Sequence, residues 1–289
     1  SITISPPQLI KIRQLFNVVG VPCQPKEELA KAPLLVAKLR EQAAKAGGAA
    51  PAPLPPKLTA VEAIEAQSGN GQLRELFDRH DELGGLSKLW VKTAENIHRR
   101  LPVWHSLVGL LEHAKDLGPY AGLKADADAI QAQRSLLAEP DPVRPLLDRT
   151  AGVLRQALNA KLQAYTDAFE QQQFQLAADA DWRKLTDAQR TQLANDHHLE
   201  PLQPIDLASP EQLQDALDEC SLQHWISKAQ ALASRFDAAR HAAVQLLKPN
   251  VAYVAIPRRT LNNEAELKAW LVEVESLIVA KLKGGPVSL

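Results

Sequence analysis

Two pairs of adjacent arginines, Arg99-Arg100 and Arg258-Arg259, together with Lys88 and Lys92, are the groups in this sequence whose type and spacing could do chemistry. A guanidinium presents a planar fork of donors that fits phosphate or carboxylate, and each phosphate contact adds affinity and salt sensitivity. Paired arginines beside lysines could therefore hold an anionic ligand or a nucleic-acid backbone. Solvated surface is the plainer reading, because the chain's 33 Lys and Arg against 34 Asp and Glu leave a net charge of −1. No aromatic side chains alternate with the basic ones as a stacking platform would require. Among the histidines, His197-His198 is the one adjacent pair. Neighbours on a helix point about 100° apart, which makes a shared metal awkward, so the pair reads as an exposed helix end after Asp196. His98, His105 and His113 are spaced seven and eight apart with Pro102 between the first two, and read as satisfied or solvated. No catalytic, metal or cofactor residue is assigned. A Walker loop needs Gly-Lys followed by Ser or Thr, which occurs nowhere, and there is no dinucleotide fingerprint, H-E-x-x-H or G-x-S-x-G.

Any such group must be positioned by helices. The 289 residues can bury a sizeable core in one large or two small domains. A hydrophobic content of 45% with only 4% aromatics, dominated by Ala and Leu, favours helix over sandwich or barrel. Cys23 and Cys220 lie far apart and form no metal or redox spacing, as expected of free thiols in a reducing compartment, although one disulfide stays open. No apolar run of about 18 residues and no leader pattern is present, so neither a membrane span nor a signal peptide is expected, and a cytoplasmic location is. Methionine is absent, which suggests a piece cut from a longer protein; removal of an initiator Met before Ser1 is the alternative.

Helix starts are legible. Ser5, Thr59, Thr186, Ser209 and Asn263 each precede Glu or Gln by three residues, the spacing of a capping box, with Pro6 and Pro210 at the first helical position. The pattern predicts a first helix over 6–17 and a second over 26–46, interrupted near Pro33. A Pro/Gly/Ala linker follows at 47–57, then helix after helix over 58–248. Breaks are expected at 69–71, 84–85, 101–102, 118–119, 140–142, 179–186 and 201–209. The longest helix is expected over 143–177, with Leu147, Ala151, Leu154, Leu158, Leu162, Tyr165 and Phe169 advancing by threes and fours. That seam predicts either a partner helix in the same chain or an intermolecular coiled coil. Over 221–247 a stripe through Trp225, Leu232 and Phe236 must also pack.

The end changes character. Residues 251–256 are β-branched and aromatic, stopped by Pro257, and read as a short strand. Residues 263–283 place Leu267, Trp270, Leu271, Val274, Leu277, Ile278 and Leu282 on one stripe. The expected fold is mainly α, an irregular bundle of helices or hairpins closed by a small terminal β-sheet. Strands 251–256 and 287–289 would be parallel across a right-handed crossover, with residues 2–4 as a third strand. The expected divisions are 1–46, 47–57, 58–248 and 249–289.

Two stretches resemble the C-terminal part of the large P-loop proteins of bacterial BREX-type phage defence, the BrxC and PglY group. One is Ile97-His98-Arg99-Arg100-Leu101-Pro102-Val103-Trp104, continuing through Leu110-Leu111-Glu112-His113-Ala114. The other runs from Phe236 through Leu247-Lys248-Pro249, Val254-Ala255-Ile256-Pro257-Arg258-Arg259-Thr260-Leu261 and Glu266-Leu267-Lys268-Ala269-Trp270-Leu271 to Gly285-Pro286-Val287. Together they cover about a third of the chain. The resemblance implies a tail module of an ATPase acting with other defence proteins, ATP and Mg belonging to a nucleotide loop outside this sequence. The function expected is a non-catalytic assembly or interaction module, with protein partners and a homo-oligomer open. The alternatives are a DNA-contacting module using Arg99, Arg100, Arg258, Arg259, Lys88 and Lys92, and a helical adaptor unrelated to phage defence.

Overall fold

The computed structural model describes residues 3–247 and 252–289. It is mainly α, with a small two-stranded parallel sheet at the C-terminal end. Among the described residues, no helix is long and apolar enough to cross a membrane. The chain divides into two compact units, one of residues 1–154 and 208–214, the other of 155–207 and 215–289. This grouping differs from the expected divisions.

The first unit opens with α1 (Pro6–Val19), where Ser5 donates its N–H to the Gln8 side chain and Pro6 sits in the first turn. Gly20 ends it at φ 87°, a left-handed conformation that costs glycine little. Then come α2 (Glu28–Lys45), α3 (Thr59–Glu65), α4 (Gly69–Asp78), α5 (His80–His113) and α6 (Tyr120–Ala132). Ile12, Phe16, Leu35, Leu39, Val61, Ile64, Leu76, Leu83 and Trp90 form one buried core. Its polar groups are paired: Gln42 donates to the Val19 carbonyl at 3.1 Å and accepts from Ser87 at 2.7 Å. Glu28 meets Arg13 in a partly buried ion pair. The predicted interruption at Pro33 does not occur, nor do the breaks at 84–85 and 101–102; α2 and α5 run straight through. Local propensity loses to packing here. Leu83, Ser87 and Trp90 before Pro102, and Trp104, Leu107 and Leu110 after it, are all buried by the continuous helix.

The segment expected as a linker is held in place. Arg134 donates to the carbonyls of Gly48 and Ala52, and Leu136 N–H donates to Pro51. The prediction that residues 2–4 add a third strand fails among the described residues: Thr3 and Ile4 lie in no strand, and Ile4 packs on the first unit's core. Residue 2 lies outside the described residues.

Helix α7 (Val143–Ala178) is the longest, as expected, and α8 (Asp187–Asp196), α9 (Pro210–Glu219) and α10 (Leu222–Leu247) follow. The boxes at Thr186 and Ser209 close, whereas α3 begins on Thr59 itself, so that residue caps nothing. The seam of α7 is buried at Leu147, Ala151, Leu154, Leu158, Tyr165 and Phe169. In the second unit, α10 covers it: Tyr165 meets Trp225 and Phe169 meets Phe236, both edge to face at 5.7 and 5.4 Å. Both cysteines are free thiols.

The chain then forms β1 (Ala252–Tyr253), α11 (Glu264–Leu282) and β2 (Val287–Ser288), with β1 and β2 parallel. Ala252 pairs with Val287 and Tyr253 with Ser288, while Val254 N–H donates to the Ser288 carbonyl at 2.9 Å. The predicted strand-helix-strand is therefore present, although residue 251 lies outside the described residues. Asn263 caps α11 by accepting from Glu266 N–H at 2.9 Å, and Gly285 at φ 142° turns the chain into β2.

Candidate functional site

The second unit holds an open cleft of about 510 Å³ between the C-terminal half of α10, the extended run 253–261 and the start of α11. Arg240, Arg258, Arg259, Asp237, Tyr253 and Trp270 line it. Each position has a local cause. β1 ends at Tyr253, short of Pro257, whose carbonyl accepts from Trp270 Nε1 at 2.6 Å and ties the run to α11. Asp237 on α10 accepts from Arg240 one turn later and from Arg258 at 3.1 Å. Arg259 forms an ion pair with Glu273 of α11. Burial pushes the Tyr253 hydroxyl above its usual range, with Asp237 adding to the effect. Its ring stacks on His241 at 4.8 Å.

The two predicted cations Arg258 and Arg259 thus share one cleft, but each is matched by a carboxylate. A phosphate would have to compete with Asp237 and Glu273. The remaining candidates lie in the first unit, on α5. Lys88, Lys92 and Arg99 are exposed and share one face at spacings of four and seven, with exposed Glu95 between them. Arg100 points the other way. Only 14% of its side chain is exposed, and it donates to the carbonyls of Leu136 and Ala138 at 3.2 and 2.9 Å and pairs with Glu139. It is a clamp on the 133–142 loop, and the neighbouring Arg99 donates to Asn96 at 2.9 Å. His197 ends α8 and His198 follows in a left-handed conformation, the helix end expected there. Among the described residues, no cluster of three or more His, Cys, Asp or Glu is arranged to hold a metal.

The predicted stripe lies on α11, and no α11 residue is buried. Trp270, Val274 and Ile278 are half-buried, while Leu267, Leu271, Leu277 and Leu282 are 40–52% exposed. Off the stripe, Val272 is 66% exposed and Val279 48%. Along Ala269, Val272, Ser276, Leu277 and Ala280 runs a shallow groove of about 490 Å³. The signal was present in the sequence. Val272 and Val279 lie outside the stripe, so the helix is apolar on nearly every side, which marks a helix that something covers.

Compared with family models, curated proteins and solved structures, the chain matches none.

Proposed function

We propose that this chain is a non-catalytic assembly module that contacts protein through the exposed faces of α11, and that it serves a phage-defence ATPase of the BREX type. One observation carries the first part: a 19-residue helix that is apolar on nearly all sides has no buried residue. Exposed apolar surface of this extent is costly in water and is characteristic of interaction sites. The cleft beside it fixes the helix's position through the Trp270–Pro257 bond and the Arg259–Glu273 pair rather than performing chemistry. The second part is supported by the motifs at 97–114 and 236–287.

The test is co-purification of the tagged chain from cells making the other defence components, beside a Leu271→Glu/Val272→Glu variant. Both positions are exposed, so the variant should fold. The wild-type chain should retain at least one component and the variant should lose it; retention of the same set by both contradicts the assignment to α11.

A second reading is nucleic-acid contact through Lys88, Lys92 and Arg99, favoured by their shared exposed face on α5. It predicts DNA binding that strengthens steeply as salt is lowered. Absence of binding at low ionic strength would dismiss it.

A further inference from the structure

We infer that the pocket bordered by the 202–205 segment, the end of α9 and the first turns of α10 is a binding site for a small aliphatic monocarboxylate. It lies wholly within the second unit and does not depend on the α11 surface. Pro201 and Pro204 favour an extended backbone over 200–206, and Arg155 of α7 donates to the Leu207 carbonyl at 2.8 Å, fixing the end of that segment. Leu202, Pro204, Ile205 and Ala216 supply an apolar wall. Trp225 and Lys228 are three residues apart on α10, so they share one side of the helix, and both line the pocket.

Two groups there lack an acceptor. Lys228 stands over the Trp225 ring with Nζ 4.6 Å from the centroid, and among the described residues it meets no carboxylate. The contact with the ring attracts the ammonium without neutralising it and leaves its N–H donors available. Trp225 is only 6% exposed, yet its Nε1–H finds no acceptor among the described residues and is not sealed from solvent. A buried indole N–H ordinarily has a partner. An ammonium and an indole N–H on one pocket suit an acceptor with a negative charge and two oxygens, which is a carboxylate.

Charge and size narrow the class. Exposed Glu219 brings one negative charge to the lining, and the free Cys220 thiol, 6% exposed, brings none. One ammonium beside one carboxylate disfavours a phosphate or a dicarboxylate, and no guanidinium lines the pocket to grip either as a fork. At ~30 Å³ for each water-sized group, the volume of about 200 Å³ holds about seven non-hydrogen atoms. A branched acid such as 3-methylbutanoate has that size, with its tail against the apolar wall and its carboxylate at Lys228 and Trp225.

Titration of the isotope-labelled full chain with 3-methylbutanoate, followed through the tryptophan indole resonances, tests this. The Trp225 indole signal should shift saturably with a Kd of about 0.1–5 mM while those of Trp90, Trp104, Trp182 and Trp270 hold still. The neutral isostere 3-methylbutanamide, and acetate, which lacks the tail, should each bind roughly tenfold more weakly or worse. Lys228→Gln, with unchanged helical circular dichroism, should weaken 3-methylbutanoate by roughly tenfold or more. No saturable shift at Trp225 up to about 20 mM would overturn the site. So would an amide that binds as tightly as the acid, or a Lys228→Gln variant that binds like the wild type.

Discussion

Arg100 illustrates how a residue chosen for its charge is spent on structure. Its guanidinium is mostly buried and satisfies two carbonyls and a carboxylate of the 133–142 loop. Truncation to Ala would leave those acceptors short of a donor, and should lower stability by about 1–3 kcal/mol in urea denaturation without altering any ligand affinity. A change under about 0.5 kcal/mol, the usual effect at plain surface positions, would contradict the clamp. Phe236, 1% exposed and packed edge-to-face on Phe169, should cost about 3–5 kcal/mol as Ala by the same measurement. Glu41 makes a prediction in pH. Hydrogen bonds from Lys45 and then Lys38 hold its carboxyl down to about 2, from an ordinary 4.5. A group whose folded value is depressed stabilises the fold above its unfolded value, and that contribution fades as pH falls from about 4.5 toward 2. The stability gap between wild type and Glu41→Gln should therefore shrink across that window; a gap independent of pH would refute the pairing.

At the scale of elements, α5 shows why some boundaries were legible and others were not. Gly84-Gly85 and Pro102 are breakers by intrinsic propensity, and one sequence gives no view of the core that buries Leu83, Trp90 and Trp104 on either side of them. Gly85 lies within the second turn of α5, with open space where a Cβ would stand. Gly85→Ala should therefore stabilise the protein by about 0.5–1 kcal/mol. Gly47→Ala should destabilise it, because the Cβ would meet the Pro55 backbone at 2.5 Å. Thermal melts of the two variants should move in opposite directions, and a shared direction would be inconsistent with this packing. The capping boxes at Ser5, Thr186 and Ser209 were readable because a cap is a contact among four consecutive residues. The strand-helix-strand was readable for a similar reason: β-branched residues end at a proline, and the following helix has its own Asn cap. What α11 packs against was not readable. Periodicity identifies an apolar face but not what covers it, and on α11 the expected stripe and the exposed side overlap at Leu271 and Leu282.

For the molecule as a whole, apolar residues sort unevenly. The first unit buries its helices around one core, and in the second α7 and α10 close on each other through paired aromatics. Among the described residues, the last helix keeps large aliphatic side chains in water from Leu267 to Leu282. The cations first singled out divide between an exposed stripe on α5, a loop clamp at Arg100, and two arginines matched by Asp237 and Glu273. The proposed interaction role therefore rests on α11 rather than on any charge. A photo-reactive benzoylphenylalanine placed at Val272 in the cell tests this most directly, with Glu170, an exposed residue on α7, as the control position. The account predicts a discrete cross-linked protein species from position 272 and none from 170. Equal cross-linking from the two positions, or none from 272, would contradict it.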